Sequence, residues 1–383
     1  MPTRTEILLA QVPRDGRIIE IGPCHNPIAP KSEGWNSFSI DHLTREGLMA
    51  KYAGHPGVDL ARIEPVDFVW TGGNLSDAVP PEQHGSFDAF LASHVIEHTP
   101  DLLAFLDAAA TLLKPNGLVI LAIPDKRYCF DYFQPLTTTG QLLEAHAHQR
   151  SQHTPRLAFD YFAYSVSNGG AIAWGQHPAQ EIRFVHGLED ARRLFQTINN
   201  RSKNYEDLHA WRFVPASFEL LLLELARLGE TDWRLERITP RADCEFFAWL
   251  RRGGKAYAAT LSVEDMDAQR MTLLKRALVE TEAQIEWLLV GQPELATGQA
   301  ELSTQVAPTM PLALASALTD CQRRLAEVQD RAAKLEARLA AADDQCAASM
   351  QRITALERST SWRITAPFRT LVVRGKSLAG LGG

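Results

Sequence analysis

The sequence is short of the features that mark several protein classes. Its five cysteines, Cys24, Cys129, Cys244, Cys321 and Cys346, are scattered over 383 residues, odd in number and without a Cys-x-x-Cys pair. That pattern argues against a disulfide framework or zinc knuckle and for a reducing compartment. No run is long and apolar enough to span a bilayer. The opening "MPTRTEILLAQVPRDG" lacks the extended apolar region of a signal peptide, so a cytoplasmic location is expected. A formal charge of -7 leaves no global footprint for nucleic acid, and no nucleic-acid partner is expected. Glycine is also missing where a dinucleotide fold would need it. After the strand-like Ile18-Ile19-Glu20-Ile21 comes Gly22-Pro23-Cys24-His25-Asn26-Pro27, which lacks two of the three glycines of GxGxxG. Its two prolines remove amide donors, so a pyrophosphate cradle is poorly served, and this counts against an NAD-dependent oxidoreductase.

What is present is an alternating α/β pattern. "IIEI", "SFSID", "DFVW", "FDAFLAS" and "LVILAIP" are short apolar runs separated by helical or loop lengths. They predict a parallel sheet covered on both faces. Pro100 to Leu113 predicts a helix closed by "KPNG", and "PASFELLLLELARLG" predicts another closed by Gly229. Between them the chain is irregular, with scattered aromatics and histidines. "DWRLERI" and "CEFFAWLRR" predict an antiparallel hairpin at the sheet edge, followed by helix from about Val263 to Val290.

A loop leaving the first strand of such a sheet sits where ligands bind. Glu20 offers a carboxylate suited to an ammonium group. Asp41 follows about 20 residues on, the spacing at which an acid meets ribose hydroxyls. A nucleoside with an amino-acid end fits this pair, and S-adenosylmethionine has that make-up. "IIEIGPCHNP", "SID", "GNLSDAV" and "FDAFLASHVIEHTPDLLAFLDAAATLLKPNGLVILAIPDKR", in this order, resemble the successive motifs of class I SAM-dependent methyltransferases, closest to the group with "EH" after the fourth strand. The resemblance covers residues 15 to 130 well and weakens towards Arg252.

The resemblance implies a seven-stranded, doubly wound Rossmann-like sheet and S-adenosyl-L-methionine as cofactor. It places Glu20, Gly22, Pro23 and Asn26 at the methionine end, Asp41 and His42 at the ribose, Asn74 and Leu75 near adenine, and Ser93 and His94 on the methyl-donor side. The implied organisation is a methyltransferase domain over 1–255 with an α-rich acceptor-binding insertion at about 126–232. A helical extension over 256–290, a linker over 291–312, a coiled coil over 313–358 and a basic amphipathic tail over 359–383 follow.

If the acceptor is a hydroxyl, its proton must leave as it attacks. The candidate catalytic residues are His94, Glu97 and His98 in "SHVIEHTPD"; Glu97 and His98 could equally cap or support the helix starting near Pro100. Asp125, Lys126 and Arg127 follow the fifth strand, where the two cations could clamp an anionic acceptor; a solvated loop with a salt bridge to Asp125 or Asp131 is the alternative. His209 and Trp211, in the aromatic "YEDLHAWRFVPASF", suit a sugar cleft or core packing. No histidine spacing compels a metal site, and none is expected.

From Leu314 to Leu356 apolar residues recur at alternating three- and four-residue steps, with charged flanks. A coiled coil, and with it a homo-oligomer, is expected; a helix laid on the globular domain would show the same stripe. No acidic residue follows Glu357, while Arg363, Arg369, Arg374 and Lys376 alternate with Trp362, Phe368 and aliphatic residues. Such a segment suits the inner face of an anionic membrane, or a docking partner. "STSWRITAPFR" resembles the S-x-SWR-x-T-x-P segment that follows coiled coils in bacterial surface-polysaccharide enzymes. That resemblance implies a saccharide or glycolipid acceptor. A non-catalytic scaffold organising envelope-glycan enzymes is the alternative.

Overall fold

The computed structural model describes residues 2–55, 57–175, 181–200, 206–240 and 243–290. The linker, coiled coil and tail expected over 291–383 lie outside the described residues.

The chain runs α1 (Arg4–Leu8), β1 (Ile18–Ile21), β2 (Ser37–Asp41), α2 (Arg45–Lys51), β3 (Phe68–Val69), β4 (Phe87–Ser93), α3 (Leu102–Leu112), β5 (Leu113–Pro124), α4 (Thr139–Ala147), α5 (Pro155–Tyr164), β6 (Val166–Asn168), β7 (Ile182–Phe184), α6 (Leu188–Asn199), α7 (Pro215–Leu228), β8 (Trp233–Pro240), β9 (Glu245–Arg252), α8 (Gly254–Thr260) and α9 (Val263–Val290). Seven strands form one sheet in the order β3-β2-β1-β4-β5-β9-β8. β1 to β5 are parallel, and β9 enters antiparallel to both β5 and β8. This is the Rossmann-like seven-stranded sheet expected from the sequence, with the predicted hairpin supplying its last two strands.

Period-two alternation assigns the apolar residues to two cores. Phe90 and Ala92 of β4, with Phe246, Ala248 and Leu250 of β9, face α3 and α7 and meet Leu106, Phe218 and Leu222. Ala89 and Leu91, with Phe247 and Trp249, face the other way and meet Leu8, Ile28 and Ile18. That second face has a thin cover, α1 and the segment from Ile28 to Trp35, and Trp249 donates its indole N–H to the Leu8 carbonyl at 3.2 Å.

Two predicted boundaries shift. β3 keeps only Phe68 and Val69, because only these pair with Ile40 and Asp41 at the end of β2. β5 begins at Leu113, but pairing jumps from Phe87–Leu113 to Ala89–Leu118, so Lys114–Gly117 bulges out near the start of the strand. Gly117 is needed there, since a Cβ would lie 2.8 Å from Leu113 Cβ. Gly229 ends α7 at φ +82°, a left-handed cap.

The insertion is α-rich, as the resemblance implied, although its irregular pattern did not place the individual helices. α4 starts with a capping box between Thr138 and Gln141, and α5 with Thr154 as cap and Pro155 in its first turn. α9 lies on α7, where Met266 and Leu273 meet Leu220 and Leu223, and Glu280 accepts from the Ala216 amide at 2.9 Å. No helix among the described residues is long and apolar enough to cross a membrane.

Candidate functional site

The carboxyl ends of β1, β2, β4 and β5 meet along one rim, the edge at which open α/β sheets bind ligands. Gly22, Asp41, Ser93 and Asp125 end or follow these four strands.

Gly22 adopts φ +62°, which lets its amide bond the Ile40 carbonyl at 2.8 Å while the chain turns away. Beneath the turn, Glu20 is 3% exposed and accepts from the Ile28 and Ala29 amides at 2.7 and 3.1 Å. Burial pushes its carboxyl up to about 7, against the pull of those two amides. This corrects the expectation that Glu20 faces an ammonium group: both oxygens strap the loop from below. Pro23 and Asn26 stand above it, Asn26 exposed and its amide bonded to the Pro23 carbonyl at 2.9 Å. The enclosed space under the loop, lined by residues including Cys24, Ser39 and Asp41, measures about 10 Å³, room for one water. That space is too small for a ligand of nucleoside size.

Asp41 keeps one carboxylate oxygen in use and one free. Its Oδ1 accepts from the His42 amide at 2.8 Å and the His42 ring at 2.7 Å. Its Oδ2 is buried and has no hydrogen-bond partner, so one acceptor is left for a hydroxyl donor. Lys51 Nζ lies 2.9 Å from His42 Nε2 and holds the ring in place. Asn74 is the N-cap of a single turn over Leu75–Ala78, its side chain accepting from the Ser76 amide at 3.3 Å, and Leu75 belongs to the core.

His94, just past β4, adopts φ +53°, a conformation that costs a non-glycine residue and clusters at functional sites. Its amide still bonds the Ala122 carbonyl, and its Nε2 lies 2.9 Å from Glu245 Oε2. Glu245 also receives two bonds from Arg4, at 2.6 and 2.7 Å, and Arg4 donates to Ser93 Oγ at 2.6 Å. Burial would raise the Glu245 carboxyl, but Arg4 and His94 overcome it and hold it down at about 2. Ionised Glu245 makes Nε2 the protonated nitrogen of His94 and leaves Nδ1 as the acceptor. The sequence reading missed Arg4 and Glu245; a glutamate opening an apolar strand was the signal.

Glu97 is 1% exposed and does not cap α3; Asp101 does, accepting from the Ala104 amide at 3.0 Å. Glu97 Oε1 instead lies 3.8 Å from His94 Nδ1, 3.7 Å from His98 Nε2 and 4.0 Å from His209 Nε2. The far nitrogens of the last two rings meet carboxylates, His98 Nδ1 at 2.8 Å from Asp207 and His209 Nδ1 at 2.5 Å from Asp131. Arg212 Nε adds a 3.3 Å contact to Asp131. Asp207 was not singled out by sequence, and Asp131 only as a salt-bridge partner for Lys126 or Arg127.

The proposed acceptor clamp does not form. Arg127 is paired with Asp125 through two bonds, at 2.8 and 2.6 Å. Lys126, 5% exposed, donates to the Tyr132 carbonyl and to Gln284 of α9; burial lowers its ammonium to about 8. Both cations tie the strand end to α9; the expected salt bridge to Asp125 forms, but buried rather than in a solvated loop. Trp211 is also core, its indole donating to the Thr99 carbonyl at 2.7 Å.

Comparisons with known proteins place the chain in a family. Ubiquinone biosynthesis O-methyltransferase of Xanthomonas campestris pv. campestris is 51% identical over 41 residues, 11% of this chain and 17% of that protein. The enzyme of the same name from Rhodopseudomonas palustris is 38% identical over 64 residues, 17% and 23% of the two chains. The chain thus spans less than a quarter of the length of either curated relative. Among solved structures, a Rhodobacter sphaeroides protein provisionally named a Zn-dependent alcohol dehydrogenase gives a TM-score of 0.36 at 15% identity, over 66% of this chain and 91% of that one. A SAM-dependent methyltransferase from Methanosarcina mazei gives 0.33 at 13%, over 64% and 96%. Neither overlay bears on activity. A family model described as "Methyltransferase domain" matches residues 4–199, just over half of the chain and the whole rim up to the end of α6, so this chain belongs to the methyltransferase-domain family.

Proposed function

We propose that this methyltransferase uses S-adenosyl-L-methionine to methylate a hydroxyl oxygen, and that the hydroxyl belongs to a saccharide or glycolipid. The cofactor supplies a methyl group on a positively charged sulfur. The chain's own residues do the rest. Asp41 Oδ2 accepts from a ribose hydroxyl, the Gly22 turn, strapped by Glu20, shapes the rim, and His94 Nδ1 takes the acceptor's proton while Glu245 steadies the ring through Nε2. The observation that carries this reading is the unpartnered, buried Asp41 Oδ2 at the end of β2.

The saccharide rests on the resemblance of the tail. In this proposal the coiled coil joins copies of the chain and the basic tail keeps them at the inner membrane face. A phenolic acceptor is the second reading, favoured by the local identity to ubiquinone biosynthesis O-methyltransferases.

Calorimetry with S-adenosylmethionine tests the donor. Asp41→Asn should weaken binding roughly tenfold, the worth of one hydrogen bond to a charged group. Release of S-adenosylhomocysteine on envelope-glycan extracts, and in parallel on catechols, tests the acceptor. Turnover on phenols alone would replace the saccharide, and binding without turnover on either would favour the scaffold.

A further inference from the structure

We propose that Glu97, His98 and His209 form a binding site for one divalent transition-metal ion of the zinc and iron(II) class. The three residues offer a carboxylate oxygen and two ring nitrogens, all within 4.8 Å of one another. The turn after β4 supplies the first two. His209 arrives from the far end of the insertion, where the Ala210 and Trp211 amides bond the Glu97 carbonyl at 2.6 and 3.2 Å and fix the approach of the two segments.

Three observations separate this cluster from an ordinary ion-pair network. First, Glu97 is 1% exposed, and neither of its carboxylate oxygens has a hydrogen-bond partner. A buried carboxylate left in that state is costly, and a cation is what it lacks. Second, the spacings are too long for hydrogen bonds. The two Nε2 atoms stand 3.7 and 4.0 Å from Glu97 Oε1, whereas charged N–H···O contacts close to about 2.7–2.9 Å. Two ligands on one tetrahedral ion, each about 2.0–2.1 Å from it, stand about 3.4 Å apart, so a slight closure would seat a metal. Third, both histidines are prepared behind the site. Asp207 holds Nδ1 of His98 and Asp131 holds Nδ1 of His209, at 2.8 and 2.5 Å. A carboxylate on the far nitrogen fixes the ring and turns the Nε2 lone pair to the ion, the arrangement found behind metal-bound histidines.

Two imidazoles and one carboxylate suit zinc, iron(II) or manganese(II) and serve magnesium poorly, since magnesium prefers oxygen ligands and retains its waters. Three protein ligands leave a position open for an exogenous oxygen. His94 Nδ1 lies 3.8 Å from the same Glu97 oxygen, so the ion would sit beside the proposed base. A role for the ion in presenting the acceptor hydroxyl rests on the function proposed above; metal binding itself does not.

The full-length chain, stripped with a chelator, is exposed to one equivalent of zinc or magnesium, desalted and assayed by inductively coupled plasma mass spectrometry. One zinc per chain should remain, and no magnesium. Glu97→Gln and His209→Gln should each lose the zinc, and Asp131→Asn should weaken binding roughly 10–100-fold. Near-UV circular dichroism checks that the variants are folded. Should both ligand variants unfold, cobalt(II) on the unaltered chain decides, because a four- or five-coordinate site gives an intense visible absorption that zinc abolishes on competition. Retention of less than about a tenth of an equivalent, equal retention by folded Glu97→Gln, or a cobalt spectrum no stronger than that of the aqueous ion would overturn the proposal. S-adenosylmethionine affinity is measured on the same samples. Zinc binding with no donor binding would sink the proposed function and leave the metal site standing.

Discussion

The two ends of the rim are built on opposite principles. At the β1–β2 end the groups are local. Glu20 reaches amides eight and nine positions along, Asp41 reaches its neighbour His42, and Asn74 caps its own turn. At the β4–β5 end the partners come from remote segments. Glu245 of β9 holds Arg4 and His94, and Asp131 holds His209 and Arg212. A ligand held by the first end is recognised by short-range geometry that tolerates change in the rest of the chain. Whatever binds at the second end depends on the insertion and on β9 arriving in register. Under the proposed function, this division has donor recognition carried by a portable motif and acceptor chemistry set by the tertiary structure around it.

Removal of Asp131 should break the second end most severely. It is 2% exposed; burial alone would raise its carboxyl, and the His209 and Arg212 charges lower it instead. Asp131→Ala strands both partners in the interior, and breaking a buried pair in this way costs about 3–5 kcal/mol. Urea denaturation should show that loss. A change within experimental scatter would mean that the insertion's polar network contributes little to holding it in place.

Next in size is a pH effect. Glu245 has an ordinary value of 4.5 and is held at about 2. The folded pKa is depressed, so the stabilisation is fully present above about pH 4.5 and is lost as pH falls through about 2. The shift corresponds to about 3 kcal/mol. Arg4→Met removes the larger of the two attractions. The variant should be clearly less stable than the parent at pH 7, and the gap should narrow by pH 3, followed by thermal melts in matched salt. A gap that is constant with pH would assign the loss to packing of Arg4 on the thin second face of the sheet, not to its charge.

The same division decided how much of the molecule could be read from the sequence. β1, β2, β4 and β9 were legible because they are buried on both faces and therefore spell continuous apolar runs such as "FDAFLAS" and "EFFAWLRR". β3 was overdrawn because its exposed residues follow no pattern, and only backbone pairing to β2 limits it. The helices of the insertion were hidden by scattered aromatics, although Thr138 with Gln141 and Thr154 with Pro155 are local start signals. At the rim, the turn at Gly22 and the place of Asp41 at the end of β2 were legible from spacing along one strand–loop–strand unit. The Glu97–His98–His209 cluster was not, because the contact that makes it, His209 against the turn after β4, is a property of the folded insertion. Lys126 and Arg127 were misjudged for a related reason. A basic pair at a strand end looks available until α9, far along the chain, is laid against it.

Asn74 offers the smallest effect and the sharpest test of the local end. The family resemblance sets it near adenine, where an amide could bond the exocyclic amine. The structure gives its carbonyl oxygen a different partner, the Ser76 amide, and makes it the cap of one turn. The two roles separate under substitution. Asn74→Ser keeps a capping oxygen and removes the amide, whereas Asn74→Asp keeps both the cap and a longer-reaching acceptor. If capping is all the residue does, both should stay within about 1 kcal/mol of the parent in stability and leave S-adenosylmethionine affinity unchanged. If it reads the adenine edge, Asn74→Ser alone should weaken the donor several-fold at constant stability, while Asn74→Asp, still able to accept from the amine, should not. The second outcome would extend donor recognition to the end of β3 and place one more contact on the side of the rim whose partners are near in sequence.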